Sequence, residues 1–202
     1  MIQIYKTVEN ELLELNSIED GIWVNLVNPT AGEIREISER FNIECNDLKA
    51  ALDEEERARI EREENYFVFL VDVPIIEEDS NSQIYATIPL GIILSNNFII
   101  TVCTKELPLL NEFIQNRVRG FFTFKKTRFI LQILYRNASY FLRYLRLIDR
   151  KSNEIEQELH KSMKNKELIH LLALEKSLVY FSTSLRANEI VLEKMLRLES
   201  IK

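Results

Sequence analysis

The chain has 202 residues, 46% of them hydrophobic and 29% charged, a balance that supports a packed core and excludes a disordered polyelectrolyte. Its formal charge of −6 is unevenly placed: residues 1–120 carry 10 basic and 23 acidic side chains, net −13, and residues 121–202 carry 16 and 9, net +7. The positive half has no Lys/Arg run interleaved with aromatics and glycine, so nucleic acid is not an expected partner; two segments of opposite sign are expected to attract each other.

The start, Met1-Ile2-Gln3-Ile4, lacks the basic region and apolar segment of a secretory leader. Ile2–Lys6 and Ile22–Val27 have the composition of strands. Asn28-Pro29-Thr30 then turns the chain, and Thr30 with Glu33 has the spacing of a capping box. Ile34, Ile37 and Phe41 follow at helical spacing, which predicts an amphipathic helix over 31–41. Asn46 is placed to cap a second short helix running through Leu52. Tyr66–Val73 is almost continuously apolar, as in a strand buried on both faces, and Glu77-Glu78-Asp79-Ser80-Asn81-Ser82 is expected to be a polar loop between strands. The longest apolar run, Tyr66 to Ile76, is broken by Asp72 and Pro74 and falls short of the ~18–20 residues of a spanning helix, so a soluble polypeptide is expected. Ile84–Leu94 and Phe98–Cys103 are β-branched runs joined by Ser95-Asn96-Asn97, a hairpin signal, and Leu107–Val118 is expected to be a helix.

All four glycines and all four prolines lie at or before Gly120, and that shift in composition marks the expected boundary between 1–120 and 121–202. Beyond it, Ile130, Leu134, Asn137, Phe141, Tyr144, Ile148, Ser152, Ile155 and Leu159 recur at steps of three and four. So do Leu171, Leu174, Leu178, Phe181, Leu185, Asn188, Leu192 and Met195. One stripe per helix predicts an antiparallel pair with coiled-coil-like packing, reversing over the polar stretch Lys161–Lys166. The fold expected is α+β: an α/β layer domain with a mixed sheet, followed by a long antiparallel helical stalk pair.

Catalytic chemistry is hard to find. The glycines are scattered, so no phosphate loop or dinucleotide fingerprint exists. Cys45 and Cys103 sit among apolar neighbours, as reduced thiols do, with no basic partner at a motif spacing. His160 and His170 flank the helix reversal and could face each other over a metal, although no cysteine or carboxylate completes a tetrahedral set; exposed helix positions are the simpler expectation. The weak metal candidates are Asp53, Glu54, Glu55 and Glu56. Hard cations take several oxygen ligands, but consecutive residues point in different directions and lack the alternating spacing and turn glycine of a calcium loop. A solvated acidic turn, partly neutralised by Arg57 and Arg59, is the expectation.

The order of motifs carries more than any one of them. Ile22-Trp23-Val24-Asn25-Leu26-Val27-Asn28-Pro29-Thr30, with Glu33-Ile34, resembles the tryptophan strand and Asn-Pro-Thr turn near the start of CorA-type divalent-cation transporters. Leu52-Asp53-Glu54-Glu55-Glu56-Arg57-Ala58-Arg59-Ile60-Glu61, Tyr66 and Asp72-Val73-Pro74 look like that family's central signature. Pro89–Leu94 with Asn97–Val102 is similar to its next segment, and the long helices match its stalk in place and character. The resemblance covers essentially the whole chain.

It implies the cytoplasmic gating or sensing portion of a membrane protein of the magnesium and cobalt class. The ion is cargo or regulator, no cofactor is required, and no enzyme activity is implied. It also implies a homopentamer in the full-length protein, on the cytoplasmic side of the cell membrane, anchored by later helices and a Gly-Met-Asn signature that do not occur here. The alternative is a soluble oligomeric binding or scaffold protein that shares the fold without a pore. One departure stands out. The family's regulatory carboxylates would fall at Leu48-Lys49-Ala50-Ala51 and near Tyr135, Arg136 and Ser139, where this chain has none.

Overall fold

A computed structural model describes residues 1–79, 82–161 and 165–198, with the side chains of 78, 79, 82, 160, 161 and 166 left aside. The strands are β1 (Ile2–Val8), β2 (Glu11–Leu15), β3 (Ile22–Val27), β4 (Arg59–Arg62), β5 (Tyr66–Asp79), β6 (Ser82–Ser95) and β7 (Phe98–Cys103). They form one sheet in the order β2-β1-β3-β7-β6-β5-β4. Only β3 and β7 run parallel, from Ile22 opposite Phe98 to Val27 opposite Cys103; the other neighbours are antiparallel, so the sheet is mixed. Glu9 and Asn10 turn β1 into β2 with φ of 49° and 73°, the two positive values that a tight two-residue hairpin demands.

Helices α1 (Ala31–Phe41) and α2 (Cys45–Ala50) cover one face. Ile34, Ile37, Leu48 and Ala51 pack there on Val24, Leu26, Val68, Leu70, Ile100 and Val102. Gly91 permits this approach, since a Cβ on it would stand 2.8 Å from that of Ala51. The other face receives α3 (Pro108–Ile114), α4 (Lys126–Lys161) and α5 (Asn165–Arg197). There Trp23 is fully buried, and the Phe129 ring stands edge-on to it at 5.1 Å and against Phe121 at 4.5 Å. The 36 residues of α4 make a rod about 54 Å long. Phe141 faces Phe181, with ring centroids 5.0 Å apart, and Ile148 and Leu174 line one groove, so α4 and α5 run antiparallel. The pair also lies on β5 and β6. No helix among the described residues is long and apolar enough to cross a membrane.

The capping box is present: Thr30 N–H donates to Glu33 Oε2 at 2.7 Å, and Glu33 N–H to Thr30 Oγ1 at 3.3 Å. Three sequence expectations need correction. Asn46 is not a cap; α2 begins after Glu44, whose side chain makes no cap bond, and Tyr66 Oη pins the first turn by accepting from Glu44 N–H at 3.1 Å and donating to Asp47 Oδ2 at 2.6 Å. The helix expected over Leu107–Val118 stops at Ile114, because Asn116 turns left-handed (φ 56°) and Val118 drops into the core. β5 does not end near Val73 but runs to Asp79, because Ile75 and Tyr85 bury the far part of the hairpin under the helices. Ser80 and Asn81 at its tip, and the reversal at 162–164, lie outside the described residues. Strands β2 and β4, both at sheet edges and rich in charge, carry too weak an apolar pattern to be foreseen.

Candidate functional site

Two places have chemistry to offer: the acidic turn after α2, and the seam where α4 and α5 meet the β5–β6 hairpin. In the first, Asp53 Oδ1 accepts from Glu55 N–H at 3.0 Å and Glu56 Oε1 accepts from Arg57 N–H at 3.1 Å, so two carboxylates are turned back on their own loop. Arg59 pairs with Glu56 and, at 3.0 Å, with Glu61; the Arg57 side chain makes no ion pair among the described residues. Asp53, Glu54 and Glu55 are exposed, and no group of three or more potential ligands converges anywhere among the described residues. The structure does not bring Asp53, Glu54, Glu55 and Glu56 together around one point.

The two histidines do not form a described pair either. His170 is half-buried in a concavity with Gln83, Lys151 and Glu154, and the side chain of His160 lies outside the described residues. At the positions where regulatory carboxylates were expected, Lys49 is exposed, Ser139 Oγ donates to Tyr135 O at 2.9 Å, and Arg136 pairs with Glu112 at 3.2 Å.

The second place is built from polar residues on otherwise apolar helix faces. β4 pairs with β5 only as far as Leu70, so the backbone of Asp72 lies beyond the last partner on that edge. Asn188 of α5 fills the gap: its Oδ1 accepts from Asp72 N–H at 2.9 Å, and its Nδ2 donates to Asp72 C=O at 2.8 Å. One side-chain amide thus does for Asp72 what a neighbouring strand would do. Asn137 of α4 donates to the same carbonyl at 2.8 Å, so both long helices meet on one strand residue. Higher on α5, Ser177 Oγ accepts from Tyr85 N–H at 3.3 Å, and the hydroxyls of Ser184 and Thr87 share a hydrogen bond of 3.0 Å. Residues 177, 184 and 188 are spaced seven and four apart, hence on one face of the helix.

The Asp72 carboxyl itself is largely enclosed. Burial pushes its pKa above the ordinary carboxylate range, and a hydrogen bond from Ser184 opposes that shift in part. Asn137 Oδ1 is buried with no hydrogen-bond partner among the described residues. The sequence holds one signal for this seam: Asn137 and Asn188 each interrupt a regular apolar stripe, where a polar residue sets register at a cost in apolar burial. What they bond to is not legible there.

Beside the seam the helix pair leaves an apolar groove of about 720 Å3, lined by Leu145, Ile148, Leu171, Leu174 and Leu178 and edged by Asp149 and Glu175. Leu168, Leu172 and Leu178 are 51%, 64% and 44% exposed along it.

Comparison with known proteins places these features. The family described as CorA-like Mg2+ transporter protein matches residues 19–202. The cobalt/magnesium transport protein CorA of Methanocaldococcus jannaschii is 29% identical over 196 residues, which is 92% of this chain and 58% of that protein. The complete structure of that archaeon's CorA magnesium transporter superposes with a TM-score of 0.84 at 25% identity, over 98% of this chain and 63% of that one. Its soluble domain superposes with a TM-score of 0.83 at 26% identity, over 98% and 80%. The cytoplasmic domain of ZntB from Vibrio parahaemolyticus shares the fold, with a TM-score of 0.72 at 14% identity over 96% of this chain and 78% of that one.

Proposed function

The chain belongs to the CorA-like Mg2+ transporter family, and from that premise we propose that it is the cytoplasmic gating and sensing portion of a divalent metal ion transporter of the magnesium and cobalt class. The observation that carries the reading is the agreement with the soluble domain of an archaeal CorA over 98% of this chain, long helix pair included. The chain spans 58% of the curated relative it matches, and we assign the pore to the part of such a protein that lies outside this sequence. By itself this portion transports nothing; magnesium or cobalt is cargo or regulator, not a cofactor, and no catalytic role is assigned.

Residues 1–120 serve as the sheet unit and 121–202 as the helical unit that passes its state onward. The seam at Asp72, Asn137 and Asn188 supports this division of labour, because it ties both long helices to a single strand residue. Asp53–Glu56 acts as a solvated turn, since its carboxylates are occupied by its own backbone and by Arg59. The apolar groove along α4 and α5 supports assembly into the homopentamer implied for the whole protein.

Reading the gene beyond Lys202 tests the proposal. It requires two apolar segments of ~20 residues each, with Gly-Met-Asn at the end of the first. A stop codon directly after Lys202 would overturn it in favour of a soluble scaffold with the same fold.

A further inference from the structure

The connector between α3 and α4 and the early turns of α4 border an open concavity of about 350 Å3 lined by Arg117, Val118, Arg119, Gln132, Tyr135 and Arg136. The backbone explains why the arginines meet there. After α3 the chain turns at Asn116, and Val118 is drawn into the aromatic core, leaving Arg117 and Arg119 exposed on either side of it. Gln132, Tyr135 and Arg136 follow the i, i+3, i+4 spacing of one helix face and form the opposite wall.

The charge there is not balanced. Arg136 pairs with Glu112 Oε2 at 3.2 Å, and the other oxygen of Glu112 accepts from Tyr140 Oη at 2.8 Å. Arg117 and Arg119 make no ion pair among the described residues. Like charges gathered around a small space repel, and a guanidinium presents a planar fork of donors that fits phosphate oxygens in pairs. Gln132 is fixed on the wall by its Nε2, which donates to Arg119 C=O at 3.1 Å. On the rim the Tyr135 ring is 71% exposed and offers a flat apolar surface.

We propose that this pocket binds a small phosphorylated anion of the nucleotide type, with its phosphates on Arg117 and Arg119 and its ring on Tyr135. The site is separate from the acidic turn and from the seam at Asp72, and it needs no divalent ion.

Titration calorimetry of the 202-residue chain in EDTA tests it with three probes: ADP, inorganic phosphate, and vesicles of phosphatidylcholine with phosphatidylglycerol. ADP should bind more tightly than phosphate by about fivefold or more, the contribution of one stacked ring. The double variant Arg117→Ala/Arg119→Ala should weaken ADP by about tenfold or more, the loss of charge-assisted contacts. Tyr135→Ala should bring ADP down to the affinity of phosphate, and Arg57→Ala, on the acidic turn, should change nothing. Thermal melts of each variant confirm that it is folded. No ADP binding up to ~1 mM, a ceiling of about −4 kcal/mol, would overturn the proposal. So would vesicle binding without ADP binding, ADP binding that survives the double variant, or phosphate binding as tightly as ADP.

Discussion

At the start of α4, Phe129 is packed among Trp23, Phe113 and Phe121, with ring centroids 4.5–5.1 Å away and no polar atom involved. Where α5 crosses the β5–β6 hairpin, Ser177, Ser184 and Asn188 reach backbone and hydroxyl groups instead. Both contacts hold a helix to the same face of the same sheet, yet by different physics. Apolar burial is strong and tolerant of small shifts, whereas hydrogen bonds to a strand edge are satisfied at only one helix register. The first contact anchors; the second sets position. A device that must pass a defined displacement along two long helices needs both.

Removing one anchor of each kind separates the two contacts. Phe129→Ala leaves a cavity in the aromatic cluster and should destabilise the chain by about 3–5 kcal/mol, measured by denaturant unfolding. Asn188→Leu keeps the bulk but strips Asp72 N–H of its acceptor, and should cost about 1–3 kcal/mol. Hydrogen exchange separates the two. The Asn188 variant should lose protection at Asp72 while the amides around Trp23 stay protected, whereas the Phe129 variant should lose protection around Trp23 first. Equal loss in both regions from either change would show one undivided contact.

A smaller effect of opposite sign is expected from Asp72→Asn. The folded-state pKa of Asp72 lies above its unfolded value, so the folded state binds the proton more tightly. The cost of the buried carboxylate is absent at pH below the unfolded value, near 4, and grows as pH rises through the folded one. Asparagine can still accept from Ser184 without the charge. The variant should therefore melt higher than the parent at neutral pH, and its advantage should vanish toward pH 4. A variant less stable at every pH would mean that the carboxylate itself holds the seam together.

How much of this was legible in the sequence depends on how local the cause is. The Thr30–Glu33 box and the strand Ile22–Val27 depend on near neighbours, and both fall at the expected residues. Asn46 misleads because Tyr66, distant in sequence, pins the helix start through Glu44 and Asp47. Leu107–Val118 keeps a helical period through Val118, and a left-handed residue at Asn116 overrides it. The hairpin is longer than its composition suggests because Ile75 and Tyr85, on its far half, are buried under the helices. At the candidate sites, the acidic turn is visible as composition, but its pairing with Arg59 rather than Arg57 is not. Asn137 and Asn188 are visible as interruptions, and only the fold shows that they share the Asp72 carbonyl.

We propose that this portion of the protein responds through its helices and holds no divalent ion on carboxylates of its own. Thermal melts in ~10 mM magnesium chloride against sodium chloride of matched ionic strength test it directly, because an ion that binds only the folded state raises its stability by RT ln(1 + [L]/Kd). Equal melting temperatures are expected in the two salts, with screening as the only effect of either. A rise specific to magnesium that Asp53→Ala or Glu56→Ala abolishes would contradict it, and would make the acidic turn a metal site.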